Sequence, residues 1–218
     1  MIIDLTGTLY TGMWNYEPPF PALNIRPLPP VPWVSGYVGC EIFEGLHSQT
    51  GTYLETPAHV LGDASYPLLS VSLSRITDVP AVILHLPYIE PNMPITETLL
   101  EACSAFHALQ PGDAVLVSCN YGQKWFDADY LSASPYFTKA AMLSLIAKKP
   151  SILGSDFPRW DNLAHPQGFF GDFYNADILM LAPLVQLEKC PANGGKLTAL
   201  PLKAEKTSCA PCRAILQV

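Results

Sequence analysis

A carboxylate, Glu55, and an imidazole, His59, stand four residues apart in the segment QTGTYLETPAH, which runs from Gln49 to His59. Two such groups converging on one pocket can hold a divalent metal or relay a proton, because one is an oxygen donor and the other titrates near neutral pH. Gln49 and Tyr53 add an amide oxygen and a phenol, both weaker donors to zinc or manganese than an imidazole. Thr50, Gly51, Thr52, Thr56 and Pro57 favour an extended and turned chain over a helix, and a bend at Gly51 would aim all four side chains in a common direction. The same residues also suit a plain strand-to-loop turn in which His59 bonds a backbone carbonyl, so spacing alone leaves both readings open.

Other reactive side chains are scattered. Cys119 ends the apolar run AVLVSC with Lys124 nearby, which allows a thiolate nucleophile with His59 as its base, or an ordinary small core residue. His47 lies two residues before Gln49 and, by strand alternation, on the same face. His85, inside AVILHL, reads as a core histidine, and His107 as one on a helix surface. Cys209 and Cys212 have CxxC spacing, and Cys190 could join them as a third soft ligand. Because that pair leads straight into the strand-like RAILQV, packing is the expected role. Neither a G-x-S-x-G elbow nor a Gly-rich phosphate loop is present.

The elements that must position these groups are short. AVILHL (81–86), AVLVSC (114–119), SILGSD (151–156) and ADILMLAPLV (176–185) read as buried strands, being apolar, rich in β-branched residues and bounded by turn residues. KLTALPLKA and CRAILQV read as an antiparallel pair. Two helices are expected. In ITETLLEACSAFHALQPGD, Thr98 and Glu101 fit a capping box; in SPYFTKAAMLSLIAKKP, Ser134 can cap and Pro135 suits the first helical position. The proline-dense YEPPFPALNIRPLPPVPW (16–33) excludes regular helix and central strand, and its aromatic residues predict an ordered loop over a pocket or a subunit partner.

At 218 residues the chain suits a single α/β domain spanning 1–218. Hydrophobic residues make up 49% and charged residues 14%, and the net charge of -7 argues against a nucleic-acid or anionic-membrane partner. No apolar run reaches the roughly 18 residues of a membrane span, and MIIDLTGTLYTG lacks the basic start of a secretory signal. A cytoplasmic protein acting on a small molecule is the expectation.

QTGTYLETPAH resembles the signature of the cyclase family that includes bacterial kynurenine formamidase and isatin hydrolase, His-x-Gly-Thr-His-x-Asp-x-Pro-x-His. Gly51, Thr52, Pro57 and His59 are in register, with Gln49 and Tyr53 at the first two histidine positions and Glu55 at the aspartate. IIDLTGTLYTGMWNY, LQPGDAVLVSCNYG, KPSILGSDFPRWDN and the closing LTALPLKAEKTSCAPCRAILQV are similar to the family's other conserved segments, in the same order. The resemblance implies a swivelling β/β/α-type domain with a mixed central sheet, usually homo-oligomeric, in which a divalent metal activates water against an amide or ester carbonyl. It implies His59 as the proton-transfer residue, Glu55 as metal ligand or acid/base partner, and Gln49 with Glu55 and His59 as the ligand set for zinc, manganese or magnesium. Tyr16, Trp14 and Tyr53 are then the aromatic groups at the substrate. The departures leave a metal-free binding protein, or a metal-free Glu55 and His59 acid/base pair, as alternatives, since Phe170 and Ala182 stand where the family places a histidine and a glutamate. Asp161, His165 and Asp172 are the nearby groups that could substitute.

Overall fold

The computed structural model describes residues 1–87 and 89–218. The four apolar runs form β5 (Val79–His85), β7 (Ala114–Ser118), β9 (Ile152–Ser155) and β10 (Leu179–Ala182), which pair in parallel in that order. Parallel neighbours require crossovers, and these are α2 (Glu97–Glu101) with α3 (Ser104–Ala108), then α4 (Lys139–Ala147), then α5 (Phe170–Asn175). The remaining strands of this sheet are antiparallel. β4 (Tyr53–Glu55) pairs with β10, β12 (Cys209–Gln217) with β4 and with β11 (Gly195–Pro201), and β11 returns to β5. The mixed sheet therefore closes into a barrel, with β1 (Ile2–Asp4) beside the far end of β12. The α/β class with a mixed sheet is as expected from the sequence; closure adds a distinct inside and outside.

Alternation along each strand divides the core accordingly. On β7, Ala114 and Leu116 point into the barrel with Leu54, Leu181 and Leu216, while Val115 and Val117 pack outward beneath the helices with Leu100, Phe106 and Leu145. The strands are buried on both faces, which is why they read as continuous apolar runs.

Both helix starts differ from the expected capping residues. Thr96, not Thr98, caps α2 by accepting the Leu99 N–H at 3.3 Å, because the extended pair Pro94–Ile95 (β6) delivers the chain at that residue. The predicted single helix then breaks at Cys103, whose extended backbone starts α3. At the second helix the Ser134 hydroxyl donates to the Pro135 carbonyl, Tyr136–Phe137 (β8) pairs in parallel with β6, and Thr138 caps α4 through the Ala141 N–H at 3.2 Å. Burying Phe137 against Phe157 and Trp160 outweighs the local preference for an earlier helix start.

The proline-dense segment splits in two. Trp14 to Phe20 folds over the barrel wall. Asn24–Pro27 (β2) then pairs antiparallel with Glu41–Glu44 (β3), and the intervening chain projects outward with Trp33 82% and Tyr37 94% exposed.

Candidate active site

The site lies on the outer face of the barrel wall, where β4 is flanked by β10 and β12. Leu54 points inward, so Tyr53 and Glu55 point outward. Glu55 sits opposite Met180 on one neighbour and Cys209 on the other. The residues around β4 hold it in place. Gly51 has φ +69°, and a Cβ there would meet the Leu9 side chain at 2.4 Å, so only glycine fits the bend. Thr52 accepts the Gly7 N–H at 3.0 Å and donates to the Pro183 carbonyl at 2.7 Å, and Thr56 donates to the Tyr66 and Ser208 carbonyls. Pro57 then starts the single-turn helix α1 (Ala58–Leu61), which swings His59 back over Glu55. The sequence predicted no helix here; proline is favoured at a helix start and turns the chain at once.

Glu55 is 1% exposed, and its carboxylate is held from two sides. Tyr174, from α5, donates a hydrogen bond to Oε2, and the Gln49 amide donates to Oε1 at 2.5 Å. The His59 Nε2 lies 3.7 Å from Oε1, while its Nδ1 lies 3.9 Å from the Sγ of Cys209. One donor atom each from Glu55, His59 and Cys209 falls within 4.8 Å of the others. Burial, and then the neighbouring Glu55, push the Cys209 thiol up to about 11. Tyr16 donates to the Pro158 carbonyl at 3.0 Å, so Tyr53 donates to the Tyr16 oxygen at 2.9 Å. Burial raises both phenols well above their ordinary range and keeps them protonated.

A cavity of about 320 Å³ opens onto Glu55 and His59, with Tyr16, Phe20, Trp160 and Phe170 among its walls. At its rim Arg159 forms an ion pair with Glu17, and its guanidinium lies 5.8 Å from the centre of the Tyr16 ring. The aromatic lining suits a planar apolar group, and the cation at the rim, Arg159, is paired with Glu17.

The other predicted residues separate into those at the cavity and those away from it. Tyr16, Tyr53 and Gln49 line it; Trp14 lies behind Tyr16, edge-on to it and to Trp125. Phe170 contributes a wall and stacks on Tyr174, and Ala182 pairs with Tyr53. Asp161 reaches the rim but accepts the Asn162, Gln167 and Gly168 N–H groups; Asp172 pairs with Lys139. His47 packs tilted against Phe20 and hydrogen-bonds Asn15. Cys119 is buried in the outer core beside Asp156, and His85 is satisfied by the Cys190 carbonyl. Tyr174 and Arg159 were not anticipated, and Cys209, considered only with Cys212 and Cys190, was not expected beside Glu55 and His59. The signal for Cys209 was strand register: β12 alternates, so Cys209 and Cys212 face opposite sides, and only the first reaches the site.

These side chains fit one divalent cation. Glu55 offers oxygen, His59 nitrogen and Cys209 sulfur, and the two donors on Glu55 orient its carboxylate while leaving lone pairs free. Tyr53, protonated and bonded to Tyr16, is not part of that set, and Gln49 acts as a clamp on Glu55.

Four similarities bear on the architecture. A family model described as "Putative cyclase" matches residues 3–162. An isatin hydrolase of Roseibium aggregatum is 26% identical over 194 residues, covering 79% of this chain and 73% of the relative. A crystal structure of an isatin hydrolase bound to product analogue thioisatinate superposes with a TM-score of 0.82 at 22% identity, over 100% of this chain and 92% of that one. A structure described as a potential metal-dependent hydrolase with cyclase activity gives 0.75 at 21% identity, over 99% and 98%. The family match runs from β1 through β9 and contains the whole Gln49 to His59 segment, and the chain belongs to the cyclase family.

Proposed function

We propose that the protein is a hydrolase that opens an amide, lactam or lactone bond in a small aromatic or cyclic acid, in the manner of a kynurenine formamidase. The observation that carries this reading is the convergence of Glu55, His59 and Cys209 at an aromatic-walled cavity, in a family whose relative is named for hydrolysis. Tyr16, Phe20, Trp160 and Phe170 sandwich the ring of the substrate and exclude water from it. Arg159 receives its carboxylate at the rim. Without a metal, His59, its ring 35% exposed and free to turn, takes a proton from the attacking water and returns it to the leaving group; with a cation in place it would serve as a ligand instead of a base. Glu55 holds His59 and is itself kept in place by Gln49 and Tyr174. A divalent cation bound by Glu55, His59 and Cys209 would supply polarisation of the scissile carbonyl and a lower pKa for water.

The test is turnover of a panel of aryl formamides, lactams including isatin, and aryl lactones by wild-type protein and by His59→Gln. Turnover of at least one member, lost by about 100-fold or more in His59→Gln with an unchanged melting temperature, supports the reading. A folded wild-type protein inert to the whole panel sinks it.

The clamp on Glu55 favours a second reading, a metal-free binding protein, because both carboxylate oxygens already have hydrogen-bond partners. Thermal stabilisation by aromatic acids, with a melting temperature indifferent to EDTA and divalent ions, distinguishes it. Two further expectations belong here. The exposed Trp33 and Tyr37 support a homo-oligomer, testable by sedimentation. Six free cysteines suit a reducing compartment such as the cytoplasm. Among the described residues no helix is long and apolar enough to cross a membrane.

A further inference from the structure

We propose that Cys209 makes this a thiolate-containing, zinc-selective metal site, with Glu55 and His59 as the other two protein ligands. The proposal deepens the hydrolase reading and takes its interest from it, but its geometry stands alone. Two of the positions where the family motif has an imidazole carry an amide and a phenol, Gln49 and Tyr53, and both are committed to other hydrogen bonds. The strand that β4 acquires on its other side places a sulfur directly across from Glu55 instead.

One donor atom from each of Glu55, His59 and Cys209 lies within 4.8 Å of the other two. Donors around a tetrahedral zinc stand roughly 3.3–3.6 Å apart, given bonds of about 2.0–2.3 Å. His59, 35% exposed and riding on a single helical turn with no side-chain cap, can turn one ring nitrogen toward the other two donors. The same sulfur lies 3.9 Å from Nδ1, and a cobalt-thiolate band separates ligation from a thiol that His59 activates as its base. Three protein ligands, with the adjoining cavity for a fourth, is the count of a catalytic rather than a structural zinc site.

Sulfur decides which metal. A thiolate is a soft donor that suits zinc and is a poor partner for magnesium or manganese, which prefer carboxylates and water. The thiol proton passes to solvent as zinc binds, so loading releases acid.

Metal-free protein titrated with zinc alone is expected to bind one equivalent by elemental analysis, and a 100-fold excess of magnesium should not displace it. Cobalt(II) in its place should give a thiolate-to-metal charge-transfer band in the near ultraviolet. That band should vanish, and zinc affinity fall by at least tenfold, in Cys209→Ser. Cys212→Ser, whose sulfur lies in the barrel interior, should change neither. If Cys209→Ser does not fold, wild-type protein decides: zinc should protect Cys209 from alkylation, located by peptide mapping, while the exposed Cys40 stays reactive. Failure of folded wild-type protein to bind zinc, a charge-transfer band that survives Cys209→Ser, or unprotected alkylation of Cys209 overturns the proposal. Zinc bound through sulfur without turnover on any panel substrate keeps this proposal and defeats the hydrolase reading. Turnover without thiolate ligation does the reverse.

Discussion

Among the described residues two carboxylates are almost wholly removed from solvent, Glu55 at 1% exposure and Asp156 at 0%, and their surroundings differ in kind. Asp156 follows β9 and accepts the Cys119 and Tyr121 N–H groups and the Ser118 hydroxyl, which pins the turn after β7 to the end of β9. Its own backbone carbonyl accepts from Tyr130. Glu55 accepts from two side chains, Gln49 and Tyr174, and faces a cavity. Backbone donors cannot leave without unfolding a turn, whereas side-chain donors can rotate away. One arrangement fixes structure; the other presents a carboxylate to a ligand.

The sharpest way to break this contrast is to remove each carboxylate. Asp156→Ala strands several buried donors, and a stability loss of roughly 3–5 kcal/mol in urea unfolding is expected. A loss under about 1 kcal/mol would deny Asp156 its structural role. Glu55→Gln should keep stability within about 1 kcal/mol while turnover of the hydrolase substrate falls about 100-fold. Equal stability losses in the two variants would erase the distinction.

The third prediction is a pH dependence. Burial pushes Asp156 up to about 7 from an ordinary 3.8, against the Cys119, Ser118, Tyr121 and Gly122 donors that pull it down. Between those values the folded state retains a proton that the unfolded chain has released, so stability should fall as pH rises from about 4 to about 7. Urea midpoints at pH 5 and pH 8 test the direction, and Asp156→Asn should flatten the difference. The smallest effect is expected for Tyr174→Phe, which removes one of the two donors on Glu55: about 1 kcal/mol of stability and a turnover loss of about tenfold.

Much of the architecture was legible because the strands carry their own signature. A strand buried on both faces must be apolar throughout, and the four runs that end near 86, 119, 156 and 185 became the parallel half of the barrel. Helix starts were less legible, because Thr96 and Thr98 are equally good caps until β6 decides where the chain enters. At the site, the spacing of Glu55 and His59 pointed to a shared pocket, and the family resemblance pointed to the fold. Cys209 was hidden for a different reason. Its relation to Glu55 is a cross-strand register between segments far apart in sequence, and no local pattern records it.

That register has a kinetic consequence. β4 and β12 are separated in sequence by all the parallel strands, and contacts this distant in sequence must meet their loop-closure cost before they are rewarded. The Glu55–Cys209 pair should therefore be among the last to form during refolding, with the Cys209 sulfur open to alkylation until the barrel shuts. A pulse of iodoacetamide during refolding would then serve as a clock for barrel closure itself.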